Sequence, residues 1–178
     1  MESSKAIWGN RFIIAAIIQG GIMTSIALTT VGMQLLFANE VNIIQFLSLS
    51  FEGPAKWFFL GIIFYLIFIV AIAVTSVFYI HLEHNLKKTF SGLAGILAWI
   101  HLLGMNIGGA GATILMILAG LLGSGVLSIF TEGKIGPQNV AVMDTFILPI
   151  AGFIAVLSFG VISGGIAYVI AYRRISNY

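Results

Sequence analysis

The chain has 178 residues, of which 60% are apolar and only 8% carry a formal charge. A soluble domain of this size shows about 25% charged side chains, so a water-covered enzyme, a nucleic-acid-binding domain and a disordered tail are all excluded. The mean hydropathy of +1.10 places most of the chain in a lipid bilayer. Cysteine is absent, which removes disulfides, thiolate ligands and iron–sulfur clusters from consideration.

The charge-free stretches set the organisation. Residues 12–39, 57–82, 89–131 and 145–172 contain no Asp, Glu, Lys or Arg. A hydrocarbon core about 30 Å thick is crossed by roughly 20 helical residues, and inside lipid a helix satisfies its own backbone. The expected fold is therefore all-α, a single transmembrane domain over residues 1–178. It is an integral membrane four-helix bundle with spans near 11–38, 57–81, 91–127 and 146–172. The N-terminal run reads as a retained first helix, because it is longer than a secretory signal and lacks a small-x-small cleavage site.

The apolar run 41–51 is too short to cross. It ends at Glu52, Gly53 and Pro54, a helix-breaking cluster, and reads as a short interfacial or re-entrant helix in the first outer loop. Residues 89–131 are barely long enough for two spans and a turn. One long helix fits better, with five spans as the alternative.

The basic residues orient the chain. Lys5, Arg11, Lys87, Lys88, Arg173 and Arg174 fall at the termini and in the second loop, and Lys56 and Lys134 in the first and third loops. Basic residues favour the cytoplasmic side, so both termini are expected there. Glu40, Glu52, Glu132 and Asp144 then lie outside, and the cytoplasmic membrane is the expected location. Trp8, Trp57, Tyr79, Tyr168 and Tyr172 sit near predicted helix ends, as in an interfacial aromatic belt.

Small residues recur at helical spacing. The third span carries Gly104, Gly108 and Ala112, the fourth Gly160 and Gly164, and the first Gly21 and Ser25 with Gly20 and Thr24 beside them. Such stripes let helix backbones approach closely. They are read as helix-packing interfaces, either within the bundle or toward other membrane subunits or a second copy of the chain.

Ionisable groups inside the spans are scarce. His101 is the one candidate, with Asn106 nearby; Gln19, Gln34 and several Ser/Thr are the other polar residues of the spans. A pump or ion-coupled carrier ordinarily needs a buried ionisable relay, which disfavours a small channel or carrier. His101 follows Thr89 by about 18 Å of helix. This puts it near mid-membrane, facing roughly Ile69 in an antiparallel hairpin. It could serve a b-type haem or a quinone, or it could be a buried imidazole bonded to Asn106, a hydroxyl or a backbone carbonyl. His81 and His84 are three residues apart and share a helix face, with Glu83 between them. They are a possible metal pair at the cytoplasmic edge, without an evident third ligand. Nucleophile–base pairs, phosphate loops and paired carboxylates are not visible, so catalysis by the isolated chain is not expected.

The run Trp99-Ile100-His101-Leu102-Leu103-Gly104-Met105-Asn106-Ile107-Gly108, continuing to Met116, Gly120 and Leu121, resembles the penultimate helix of subunit I of haem–copper terminal oxidases. Phe78-Tyr79 at the end of the second span is similar to the same family. That subunit is built of four-helix quasi-repeats, and this chain resembles one of them. The family's His-x-His metal pair has no counterpart in the stretch Leu60-Gly61-Ile62-Ile63-Phe64-Tyr65. The family's histidine that resembles His101 is not a redox ligand. The resemblance therefore implies a scaffold without a redox centre, an accessory or assembly subunit of a respiratory terminal oxidase or related electron-transport complex.

Overall fold

The computed structural model describes residues 6–37, 42–49 and 53–174. Lys5, Glu40, Glu52 and the two ends of the 41–51 run lie outside the described residues. The described chain is helical, without strands. In order come α1 (Ile7–Phe37), α2 (Ile43–Leu49) and α3 (Ala55–Ile80), which runs on into a π-helical turn (His81–Asn85). Next are α4 (Leu93–Gly123), a 3-10 turn (Val126–Ser128), the single turn α5 (Ile129–Glu132) and α6 (Val140–Arg173). Four of these helices are long and apolar enough to cross a membrane: Ile7–Leu36, Ala55–Asn85, Leu93–Gly123 and Val140–Arg173.

The long stretch 89–131 thus holds one long helix, not two. It ends at Gly123 rather than near 127. Gly125 adopts φ +77°, a left-handed conformation that glycine enters at little cost and that stops a helix. The first and last helices begin earlier than the charges suggested, because Arg11 and Asp144 lie within α1 and α6, each just past the first turn, rather than before them.

The chain forms two compact units. The first comprises residues 1–20, 67–110 and 153–178. Within it, α4 and α6 touch backbone to backbone. A Cβ on Gly104 would lie 2.9 Å from the Cα of Gly160, and one on Gly108 would lie 2.3 Å from the backbone nitrogen of Leu157. Gly104 and Gly108 thus face the backbone of α6 within this unit. Across the other face of α4, a Cβ on Gly109 would strike the Phe68 ring at 2.3 Å. Trp8, Phe12, Phe68, Ile72, Tyr79, Ala98, Met105 and Ala167 form the core. At one end, the Arg174 guanidinium bonds Ser91, and the Lys88 ammonium bonds the Arg174 carbonyl. The tail of α6 is thereby fastened to the loop between α3 and α4.

The second unit comprises residues 21–66 and 111–152. Ile43, Leu47, Ala55, Phe58, Ile117, Val126 and Ile129 are its core, and Ala112 is also buried. Asn42 caps α2 by accepting the Gln45 N–H at 2.9 Å. Gln34 accepts the Ile44 N–H at 3.1 Å, which ties α2 to α1. The segment after α4 folds back on it. Gly136 N–H reaches the Gly125 carbonyl at 3.0 Å, and Asn139 N–H reaches the Gly123 carbonyl at 2.8 Å. These bonds satisfy acceptors that every helix end leaves open. By contrast, a Cβ at Gly20 or Gly21 on α1 would meet nothing within 4 Å.

The glycine contacts carry a direct expectation. Gly108→Ala should destabilise the protein by about 1–3 kcal/mol, because a methyl group would collide with backbone that cannot rotate away. Gly152→Ala, where a Cβ meets nothing within 4 Å, should be neutral or mildly stabilising. Thermal unfolding of both variants in the same detergent checks the pair.

Candidate functional site

The site lies in the first unit and begins with Glu83. This side chain is only 7% exposed. Its two carboxylate oxygens accept the Trp8 N–H at 3.0 Å each, and one also accepts the Gly9 N–H at 3.1 Å. These are first-turn amides of α1, which no carbonyl of their own helix can reach. A carboxylate there also meets the positive end of the helix dipole. The close approach needs Gly9, since a Cβ would fall 2.2 Å from the Ile80 side chain. The π-helical turn helps set Glu83: Leu86 N–H bonds the His81 carbonyl at 3.0 Å, and the extra residue of such a turn changes where side chains emerge.

An aromatic cluster is built on this clamp. Phe12 stacks on Tyr79 with ring centres 4.9 Å apart, and Phe90 lies 4.8 Å from Tyr79. Trp8 meets Trp99 edge-on at 5.3 Å. Trp8 and Tyr79 are therefore core residues, not members of an outward-facing belt, whereas Tyr172 is exposed. The Arg11 guanidinium sits 4.4 Å from the Trp8 ring centre and 4.5 Å from that of Trp99.

His101 is 7% exposed. Its Nδ1 and the Tyr79 hydroxyl oxygen lie 3.1 Å apart. The expected facing residue, Ile69, is thus replaced by Tyr79, next to the last residue of α3. Residues 86–92 are loop and α4 starts only at Leu93. His101 consequently lies about 12 Å along its helix, shallower than a count from Thr89 implies. Asn106, the neighbour anticipated for His101, instead accepts the Gln19 amide at 3.1 Å and donates to the Leu102 carbonyl at 2.8 Å. Gly164 leaves room for the imidazole, since a Cβ there would stand 2.1 Å from Nδ1.

His101 and Tyr79 line a groove of about 650 Å³ among α3, α4 and α6 of this unit. Ala71, Thr75, Phe78 and Met105 line it on one side, and Val161, Gly165, Tyr168 and Val169 on the other. The Thr75 hydroxyl bonds the Ala71 carbonyl at 2.8 Å and lies 3.9 Å from the Met105 sulfur. The volume falls in the range typical of small-molecule sites, which pair apolar walls with few polar groups. Among the lining residues His101 offers the one imidazole, so a haem held between two histidines does not fit this groove.

His81 and His84 do not reach the groove. Both turn to Asn85, whose amide nitrogen lies 3.2 Å from His81 Nδ1 and whose oxygen lies 3.3 Å from His84 Nδ1. Among the described residues no group of three His, Cys, Asp or Glu could hold a metal ion. Gly104, Gly108, Gly160 and Gly164 gather along the α4–α6 contact, and Ala112 belongs to the other unit. The roles of Tyr79 and Glu83 were not visible in the sequence. Glu83 contacts a residue 75 positions away, and its neighbours in sequence, two histidines, pointed toward metal chemistry.

Compared with known protein families, curated proteins and solved structures, the chain matches none.

The clamp predicts a specific weakness. Glu83→Ala leaves buried N–H groups of Trp8 and Gly9 without an acceptor and should cost about 1–3 kcal/mol. Glu83→Gln keeps a carbonyl acceptor and should cost less. Detergent unfolding followed by tryptophan fluorescence, which senses Trp8, reads both.

Proposed function

We propose that this chain is an integral membrane protein whose His101 groove holds a lipid-soluble ring compound of the quinone class. The observation that carries this reading is the pairing of His101 with Tyr79 in the wall of an otherwise apolar groove of about 650 Å³. With the Tyr79 hydroxyl donating to Nδ1, neutral imidazole keeps its proton on Nε2. A quinone carbonyl is an acceptor and matches that donor. Phe78, Met105 and Tyr168 supply flat or polarisable surface for the ring. Phe78 and Val161, both about half exposed, border a way out for an apolar tail.

In this reading the four long helices cross the membrane, both termini face the cytoplasm, and α2 rests at the outer interface. The grouping of Lys87, Lys88, Arg173 and Arg174 at one end supports it. The similarity of residues 99–108 to subunit I of terminal oxidases supports a place beside a respiratory redox complex, as a non-catalytic subunit. The outward apolar side chains of α6, such as Leu148, Phe159 and Ile162, are available to lipid or to such a complex.

Two measurements test the proposal. Because the chain has no cysteine, single cysteines report sidedness cleanly. An impermeant maleimide should label Lys134→Cys in intact cells and His84→Cys only after the membrane is opened; the reverse pattern overturns the orientation. For the groove, a short-tailed quinone titrated into purified protein should quench intrinsic fluorescence. His101→Ala should weaken binding about tenfold, the loss of roughly one good hydrogen bond. Gly165→Leu should abolish binding while retaining the fold, since a Cβ at Gly165 meets nothing within 4 Å. Equal binding by both variants and wild type would sink the reading.

A further inference from the structure

A second groove in the first unit has a different chemistry. It has a volume of about 340 Å³ and lies between α1 and α4. Ile14, Ala15 and Ile18 form one wall, and Leu102 and Leu103 the other. Arg11 stands at one end, and the bonded pair Gln19 and Asn106 at the other. From Arg11 to Gln19 is about 12 Å of helix.

We propose that this groove binds one anionic phospholipid, with the phosphate on Arg11 and the upper part of an acyl chain along Ile14, Ile18 and Leu103. The inference rests on the membrane reading above, but not on the His101 groove. Its argument is charge and geometry at Arg11. A guanidinium has five N–H donors in its plane and none on its faces. Here Trp8 and Trp99 lie 4.4 and 4.5 Å from it. Contact with indole faces is a cation–π attraction, and with five donors the guanidinium keeps N–H groups for a planar or tetrahedral oxyanion. Among the described residues no carboxylate pairs with Arg11, and the nearby Glu83 accepts the backbone of Trp8 and Gly9. A long basic side chain on a helix end normally moves freely toward the headgroups. Two indole rings restrict that movement, so the charge is held over the groove before a lipid arrives. The apolar walls below it then distinguish a lipid from free phosphate.

The test uses the whole chain reconstituted in nanodiscs of phosphatidylcholine with a minor share of phosphatidylglycerol, released into the gas phase for native mass spectrometry. Wild type should retain phosphatidylglycerol well above its share of the bilayer. Arg11→Gln should lose that enrichment about tenfold, the loss of a charge-assisted hydrogen bond, while Arg11→Lys keeps part of it. Leu103→Trp, at an exposed position, should block the chain and lose enrichment with Arg11 intact. Unchanged enrichment in Arg11→Gln, or equal retention of both lipids by wild type, overturns the proposal. Displacement of the lipid by inorganic phosphate alone would also overturn it, since the groove would then contribute nothing. Wild-type protein that stays monodisperse without detergent would instead refute the membrane reading, a result distinguishable from loss of lipid preference.

Discussion

The carboxylate of Glu83 against the first turn of α1 is the contact on which the first compact unit depends. A helix entering a low-dielectric region brings amides that need acceptors, and water cannot supply them there. Glu83 supplies them from another helix and fixes where α1 begins. Trp8 and Phe12 then fall against Tyr79, and Arg11 falls against the paired indoles of Trp8 and Trp99. Tyr79 in turn orients His101. One charged side chain thus positions both the imidazole of one groove and the guanidinium of the other.

The glycines provide the second constraint. Hydrophobic burial drives helices together weakly when the solvent is itself hydrocarbon, so close backbone contact has to supply the attraction. Gly104, Gly108 and Gly160 bring α4 and α6 to contact, and Gly164 makes the space in which the His101 ring lies. The same absence of side chains that draws the helices together leaves room beside them at Gly165. Packing and cavity arise from one residue type used on neighbouring positions.

The four long helices were legible because lipid tolerates few charges, and the gaps between charges are long. Their ends were less legible. Arg11 and Asp144 were taken as boundaries, yet a charged side chain near a helix end can lie over an aromatic ring or reach outward, so α1 and α6 start earlier. His101 stood out as the one ionisable group within a span, but its partner did not. Tyr79 looked like an interfacial aromatic because position near a helix end says nothing about which way a ring faces. Glu83 was obscured for a related reason: a tertiary cap leaves no local pattern, whereas the cap of α2 by Asn42, three residues from its target, does.

The wall of the His101 groove has a consequence for how any occupant would be counted. Phe78, Val161 and Val169 border it and are themselves substantially exposed, so its mouth opens along the flank of the helices. In the proposed membrane reading, a molecule already dissolved in the bilayer would diffuse in sideways and never meet water. Occupancy then follows the mole fraction of that molecule among the surrounding lipids rather than its aqueous concentration. Adding empty lipid would dilute the ligand and unload the site, even with the total amounts of protein and ligand unchanged.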